Sequence, residues 1–378
     1  MRWGINQTIL IIAIGVLLVP LITKNHIYQG VALGGDTKNV FLPYLQKATD
    51  GASLIELSKG FYPVLGVSMG ILGVLNRVLR MNPEVLFFLY SLLVLFGVAV
   101  TLYYLGKTVG GIKTGWLMLA LGLFSTTSLL SLYSYAMLAN LLNVYIILLW
   151  AIIAFSRWFI SRKTLFLVFG MVLITIYSML HPTAFYLPYA MGVLLIALVV
   201  LASRREIRWT ECGLYAIIAV SVIVINLTMS NLFLQSYLTT LTASIPVGIQ
   251  EVIQSSLLAN LWGISGTFVQ YLAPITIIIA LLVGIEVYET KLWRCIPKVQ
   301  WCPLLILGSF AVALIGGSYI RATQLPERII LDASAMITFI IAGLLGELIK
   351  RKELSWLRIS SYSMMGFGVS QTIVRWVI

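Results

Sequence analysis

The chain has 378 residues, of which 60% are hydrophobic and 10% are charged, and its formal net charge is +12. Soluble domains carry about 25% charged residues, so a chain this apolar cannot hide its side chains inside a water-soluble globule. Its basic residues fall in short clusters between apolar runs rather than in one patch, which argues against nucleic acid as a partner and is typical of membrane proteins.

The first apolar run extends over about 8–22. It is similar to the core of a signal peptide, but the following LITKN contains no small-x-small cleavage site, so we expect a retained first helix. A polar-to-amphipathic stretch, 24–84, comes next. Within it, the segment 62–80 is apolar but short, and it ends in Arg77 and Arg80.

Further apolar runs follow, and each is long enough to cross a hydrocarbon core about 30 Å thick. They lie near 85–106, 114–130, 138–156, 164–180, 184–202, 212–229, 267–287, 303–320, 329–348 and 356–375. None alternates with a period of two, and backbone groups in lipid must be paired within the segment, so these runs predict helices. We expect an all-α, polytopic helical membrane protein with about 11 spans, forming a single domain over 1–378.

The basic clusters predict the orientation. If the segment 62–80 does not cross, they all fall on the cytoplasmic side; if it crosses, they all fall outside. These residues are Lys107, Lys113, Arg157, Arg162, Lys163, Arg204, Arg205, Arg208, Lys291, Arg294, Lys298, Lys350, Arg351 and Lys352. We therefore expect 62–80 to lie along the outer interface, the amino terminus inside and the carboxyl terminus outside.

In this arrangement 24–84 and 230–266 form large outer loops, together with the shorter 321–328. The second is amphipathic and carries one charged residue, Glu251. It fits a lid or a pair of interfacial helices, and it fits a simple connector equally well. The three cysteines, Cys212, Cys295 and Cys302, have no metal-ligand spacing, and we expect no disulfide between the last two, which flank a basic cytoplasmic loop.

Ionisable residues at the outer ends of spans are the candidates for function, since such residues are costly at membrane depth. Asp36 follows two glycines that permit a sharp bend, and either helix capping or chemistry explains it. Asp332 lies about one helical turn after Arg328; a structural Arg–Asp pair and a direct role in catalysis both fit. His181 precedes a proline, and it is either a satisfied helix-end residue or part of the same cavity.

Three stretches carry a family resemblance. They are GGDTKNVFLPYL with the later FYPVLGVSMGILGVLNRVL, the span pair LYSLLVLFGVAVTLYYLGKTVGGIKTGWLMLALGLF, and RATQLPERIILDASAMITF with its Pro-x-Arg element. Together they resemble the GT-C class of integral membrane glycosyltransferases. The resemblance implies a GT-C-like fold with amphipathic juxtamembrane helices in the first outer loop. It also implies transfer of a sugar from a polyprenyl-phosphate carrier to an acceptor on the extracytoplasmic face.

The resemblance also implies roles for particular residues. Asp36 is the expected general base, because a carboxylate can accept the acceptor's proton as the anomeric carbon is attacked. Arg321 and Arg328 are expected to hold the leaving phosphate, which a guanidinium group matches in a bidentate manner. The remaining expected substrate-binding residues are Lys38, Tyr62, His181, Glu327 and Asp332.

One feature departs from the family. Many members carry a second acidic residue in the next outer loop, where some use it for a divalent metal, but LYSYAMLANLLN offers Asn140 and Asn143 there and no carboxylate. Because an uncharged amide is a poorer metal ligand, we expect a metal-independent enzyme without a cofactor, or a non-catalytic relative; a divalent metal is possible but unsupported.

Three functions therefore stay open on the sequence. They are a glycosyltransferase of the cell envelope, a non-catalytic GT-C-like subunit of a membrane complex, and a transporter or flippase of a lipid-linked intermediate. Transporters favour broken helices near the membrane midplane and inverted halves, which the chain does not display. The expected partners are a lipid-linked sugar donor, the bilayer and other membrane proteins, and the expected location is a prokaryotic cell membrane.

Overall fold

The computed structural model describes residues 41–53, 56–57, 63–124, 138–180, 182–243, 274–289, 302–320 and 326–351. Regular structure in these ranges is helical throughout, and they contain no strand. The α-helices are α1 Leu42–Thr49, α2 Pro63–Leu79, α3 Pro83–Gly110, α4 Ile112–Phe124, α5 Leu138–Leu142, α6 Leu149–Ser161, α7 Thr164–Leu180, α8 Leu187–Ser203, α9 Trp209–Ala243, α10 Pro274–Glu289, α11 Cys302–Ile320 and α12 Pro326–Arg351. A π-helical turn, Asn143–Leu148, joins α5 to α6, and a 3₁₀ turn, Pro182–Tyr186, precedes α8. The all-α prediction is confirmed.

Proline marks the start of several of these helices. Pro43 and Pro188 lie in the first turns of α1 and α8, and α2, α3, α10 and α12 each begin at a proline. Backbone N–H groups in the first turn of a helix have no carbonyl partner within that helix, so proline, which lacks an N–H, costs no hydrogen bond there. The fixed φ of proline also suits a helix. At α3 the side chain of Asn82 also accepts a hydrogen bond from the backbone N–H of Glu84, 2.8 Å away, which caps the helix.

Eight helices pack in a closed ring. Around it, α3 packs on α4, α4 on α12, α12 on α11, α11 on α8, α8 on α9, α9 on α7, α7 on α6, and α6 returns to α3. Contacts of α3 and α6 with α11, and of α3 with α12, join opposite sides of the ring. The large buried residues Tyr145, Tyr177, Phe310 and Phe339 lie where these helices meet, and they form part of one continuous apolar core.

The chain is an integral membrane protein. Five described helical segments are long and apolar enough to cross a bilayer: Pro83–Gly110, Asn140–Ser161, Thr183–Ser203, Trp209–Leu232 and Asp332–Ile349. Shorter apolar helices accompany them at Ser68–Leu79, Ile112–Leu123, Thr164–Leu180 and Cys302–Gly316. The ring exposes apolar stripes, as on α9, where Ile217, Val220, Val224 and Leu227 are each at least half exposed. An exposed apolar surface of this extent needs lipid around it. The number of eleven spans stays a prediction, because 8–22 and 356–375 lie outside the described residues.

Small residues bring α3 close to α4 and α12. Gly106 and Gly110 on α3 have the spacing of a GxxxG motif. A Cβ added to Gly106 would lie 2.6 Å from the carbonyl oxygen of Thr114, and one added to Gly110 would overlap the Thr114 hydroxyl. Helices in lipid associate largely by such close packing, because there is little hydrophobic drive between them. Gly111 alone links α3 to α4, with a φ of 83° that favours glycine.

The helices α1 and α2 form a small hairpin in the predicted first outer loop. The guanidinium of Arg77 donates to the carbonyl oxygen of Ala48 at 2.6 Å, and the amide of Asn76 donates to the hydroxyl of Thr49 at 3.3 Å. The opposite face of α2 carries Ile71, Val74 and Val78, each more than half exposed. The 17 residues of α2 extend about 25 Å, less than the roughly 30 Å of a hydrocarbon core. That 62–80 lies along the interface stays a prediction.

The predicted second outer loop, 230–266, begins as a continuation of α9. This helix runs for 35 residues to Ala243, about 52 Å, well beyond what one crossing requires. The sequence contains no glycine or proline between the predicted span end at 229 and Pro246, so nothing stops the helix there. The remainder of that loop lies outside the described residues, and its alternatives as lid or connector stay open.

Candidate functional site

The site is built around the carboxylate of Asp332 on α12. Its Oδ1 accepts a hydrogen bond from the phenol of Tyr145 at 2.8 Å, and its Oδ2 accepts one from the amide of Asn140 at 3.2 Å. Asp332 and Tyr145 are fully buried, and Asn140 is 8% exposed. A carboxylate inside a membrane costs about 2.5–3.5 kcal/mol on insertion scales, so the two donors offset part of a substantial penalty.

The π-helical turn, Asn143–Leu148, aims Tyr145 at this carboxylate. On a regular α-helix, Asn140 and Tyr145 would lie about 140° apart around the axis, on different faces. A π-turn winds more loosely, and such bulges are frequent at functional sites. Here both side chains reach the same carboxylate, and the ring of Tyr145 packs edge-on against Phe339, with centroids 6.1 Å apart. The irregular turn therefore creates the pairing.

A second buried polar cluster lies where α7 ends and α8 begins. The hydroxyls of Tyr177 and Thr183 are 2.7 Å apart, and the amide of Asn226 donates to the hydroxyl of Ser178 at 2.8 Å. The hydroxyl of Ser230 donates to the carbonyl oxygen of Ser178 at 3.2 Å. Tyr177 interacts electrostatically with Asp332, so the two clusters adjoin. Together they form a polar layer within the largely apolar core of the bundle.

This layer lies near one end of the ring, which we call the Asp332 end. The helix α12 begins there with Pro326, α5 begins there, and α7 turns there into α8. A second buried carboxylate, Glu347, lies 15 residues later on α12, about 22 Å further along the helix. It packs beside Gly110 and Thr114, away from the polar layer. Asp332 and Glu347 are the buried carboxylates in the part of α12 whose side chains the structure describes, and Asp332 is the one that adjoins the Pro-x-Arg element.

The sequence-predicted site residues are distributed as follows. Glu327 and Arg328 belong to the first turn of α12, ahead of Asp332, but their side chains are outside the described set. Asp36, Lys38, Tyr62, His181 and Arg321 lie outside the described residues. Their roles stay predictions. The described partners of Asp332 are Asn140 and Tyr145, which favours a structural anchor for that carboxylate; the predicted pairing with Arg328 and a direct contact with substrate are not tested.

Sequence reasoning missed Asn140 and Tyr145 as partners of Asp332. The signal for Asn140 was present, because the amides of Asn140 and Asn143 interrupt an apolar run and polar side chains in spans face the bundle interior. On the sequence alone they count only as replacements for a missing loop carboxylate, whereas both are buried, Asn140 on α5 and Asn143 in the π-helical turn. Tyr145 gave no comparable signal, since helical periodicity puts it on another face.

Metal binding has little support in the part of the chain that the structure describes. No group of three or more His, Cys, Asp or Glu side chains lies close enough there to hold an ion. The two oxygens of Asp332 accept hydrogen bonds from an amide and a phenol, and neither of these donors is charged. Candidate metal ligands outside the described ranges stay untested.

No protein-family model matches the chain, and no curated protein matches it either.

Proposed function

We propose that the chain is a membrane glycosyltransferase of GT-C type, which moves a sugar from a polyprenyl-phosphate donor to an acceptor on the extracytoplasmic face. Asp36 acts as the general base, and Arg321 and Arg328 hold the leaving phosphate. The acceptor hydroxyl attacks the anomeric carbon, Asp36 takes its proton, and the bond between that carbon and the phosphate oxygen breaks. The polyprenyl phosphate leaves with the bonding electron pair.

One observation carries the proposal. Asn140 belongs to the stretch where relatives carry a second carboxylate, and Asp332 follows the Pro-x-Arg element by a few residues. These stretches are 192 positions apart, yet Asn140 donates a hydrogen bond to Asp332. Two parts of the GT-C-like pattern thus meet at one end of the bundle, as a shared site requires.

Asp332 acts in this proposal by positioning. Its carboxylate ties α5 and the following π-helical turn to the start of α12. The backbone that carries the side chain of Arg328 is thereby held in place. The phosphate site then depends on the cluster through helix placement rather than through contact with substrate. The positively charged N-terminus of α12 also suits a phosphate, since free backbone N–H groups and the helix dipole attract anions.

Binding of the carrier tests this site directly. The full chain in nanodiscs would be mixed with undecaprenyl phosphate, and the bound lipid would be counted by native mass spectrometry after release into the gas phase. Arg328→Ala should weaken binding by about 10-fold or more, because a charge-assisted hydrogen bond contributes about 1.5–3 kcal/mol. Arg80→Ala, on the α1–α2 hairpin, is the matched control and should bind as the parent does. Equal binding by the parent, Arg328→Ala and Arg80→Ala would contradict the proposed phosphate site.

A non-catalytic subunit of a membrane complex is the second candidate. The observation that favours it is the complete burial of Asp332, whose described bonds are those of a structural anchor. A subunit of this kind keeps the architecture and has no need of Asp36 as a base. The two candidates differ in whether Asp36→Asn abolishes function.

A further inference from the structure

An apolar cavity lies at the other side of the molecule, enclosed by five helices. Its volume is about 150 Å³. The helices α6, α7, α9, α8 and α11 surround it, each packed on the next, and α11 closes the circle on α6. A cavity of this volume lined by aliphatic and aromatic side chains does not attract water. An empty apolar cavity is also destabilising in proportion to its volume, so a hydrocarbon occupant would be favoured.

The lining follows the helix axes and makes the cavity a slot. On α8 the wall residues recur every three or four positions over four turns: Leu187, Met191, Leu194, Leu198 and Leu201. From the first to the last of them is about 21 Å along the helix. The opposite wall is formed by residues of α6, α9 and α11, among them Phe155, Ile218 and Phe310. A lining that is apolar over most of this length suits an unbranched hydrocarbon chain.

Polar and charged residues are confined to one end of the slot. Arg162, Glu211, Tyr215 and Cys302 line it there, whereas Leu148, Leu187 and Phe310 line the other end. Glu211 is already engaged, since its carboxylate lies 3.0 Å from the guanidinium of Arg208. Arg162 is exposed and lies over the rings of Trp158 and Phe159, 5.2 and 5.9 Å from their centroids. The two rings thus hold its guanidinium at this end of the slot, which we call the mouth.

The surroundings of the mouth are basic. The two connections that reach it, at the end of α6 and between α8 and α9, carry six basic residues against two acidic ones. These are Arg157, Arg162, Lys163, Arg204, Arg205 and Arg208, with Glu206 and Glu211. Such clusters attract anionic lipid headgroups, with about 1 kcal/mol for each basic side chain near a charged membrane surface. Charge at the mouth and hydrocarbon along the slot match an amphiphile with an anionic head.

We propose that the slot binds one acyl chain of an anionic phospholipid, whose headgroup meets Arg162. The lipid comes from the leaflet at the Arg162 end, which the distribution of basic residues predicts to be cytoplasmic. This site is separate from the proposed phosphate site at the Asp332 end. Its deep end reaches Phe310, whose ring lies 6.4 Å from that of Tyr177. An occupied slot therefore supports the packing beneath the polar layer.

The slot can be filled by a side chain to test the proposal. Ala219→Phe points a large ring into the slot from a buried position, whereas Val220→Phe, one residue later, starts from a 52% exposed position facing outward. A second pair is Leu194→Trp on the slot wall and Ile196→Trp, 68% exposed on the same helix. The second pair keeps the test decisive if the first slot variant does not fold.

The full-length protein would be stripped of lipid in detergent and titrated with dioleoyl phosphatidylglycerol or dioleoyl phosphatidylcholine, and bound lipid would be counted by native mass spectrometry. We expect one tightly retained phosphatidylglycerol on the parent and on both exposed-position controls, and none on the slot variants. Arg162→Ala should lower the preference for phosphatidylglycerol over phosphatidylcholine by about fivefold. Retention of the tight lipid by a folded slot variant, or an unchanged headgroup preference in Arg162→Ala, would overturn the proposal. Undecaprenyl phosphate binding at the Asp332 end is a separate readout, so either site can fail alone.

Discussion

The phenol oxygen of Tyr145 lies 2.8 Å from Oδ1 of Asp332, although the residues are 187 positions apart in the chain. The bond joins the π-helical turn after α5 to the second turn of α12, in the core of the bundle. In lipid there is no water to replace it, so losing this phenol would leave the carboxylate with one donor fewer. The geometry of this end of the molecule is therefore coupled to one phenol.

We expect Tyr145→Phe and Asp332→Asn to destabilise the protein, and their effects to be non-additive. Tyr145→Phe removes the bond, and Asp332→Asn replaces its charged acceptor by a weaker neutral one, so the double variant should be more stable than the sum of the two losses predicts. The coupling should lie near the upper end measured between helices in membranes, about 1.5 kcal/mol, because the acceptor is charged. Reversible unfolding of the four proteins in mixed micelles measures it. A coupling of zero would mean that the two side chains do not support each other.

The helices could be predicted from the sequence better than the site could. Apolar runs such as 164–180 and 303–320 nearly coincide with α7 and α11, because lipid requires every backbone group of a span to be paired in a helix. The extent of α9 could not be predicted, since hydropathy falls after 229 while nothing breaks the helix before Pro246. The cluster at Asp332 was hidden by the π-turn, which changes the face that Tyr145 occupies.

The close packing of α3 against its neighbours leads to a second prediction, about stability. Gly110→Ala should destabilise the fold by about 1–3 kcal/mol, because the new methyl group would overlap the hydroxyl of Thr114 beside Glu347. Thermal unfolding in detergent measures the loss. The matched control is Gly192→Ala, where a Cβ would meet nothing within 4 Å and helix propensity favours alanine. Equal melting temperatures for the two variants would show that α3 has room to shift.

The α1–α2 hairpin should loosen when its latch is removed. Arg77→Ala deletes the bond to the carbonyl oxygen of Ala48 at the end of α1. Amide hydrogen exchange in residues 42–49 should speed up by about 2- to 10-fold, as expected for a hydrogen bond of ordinary net strength. Arg80→Ala removes the same charge three residues later and should leave exchange in α1 unchanged. Exchange in α1 that does not respond to Arg77→Ala would contradict the latch.

Membrane orientation can be measured with introduced cysteines, after Cys212, Cys295 and Cys302 have been changed to serine. Lys113, Arg205 and Asp50 are suitable positions because each is exposed. In sealed cells, a membrane-impermeant maleimide should label Asp50→Cys and leave Lys113→Cys and Arg205→Cys unlabelled until the cells are opened. Labelling of position 113 or 205 from outside would mean that 62–80 crosses the membrane and that the orientation is inverted.

Accumulated lipid-linked sugar tests the central claim, glycosyl transfer with Asp36 as base, most directly and without knowledge of the sugar. Cells lacking the chain should accumulate one polyprenyl-phosphate sugar, detected by mass spectrometry of extracted lipids. The parent chain should restore the normal level, and Asp36→Asn should not, since loss of a general base lowers the rate by about 10²- to 10⁴-fold. Asparagine caps a helix about as well as aspartate, so a capping role alone predicts full restoration. Restoration by Asp36→Asn at parental protein levels would contradict the enzyme and leave the non-catalytic subunit.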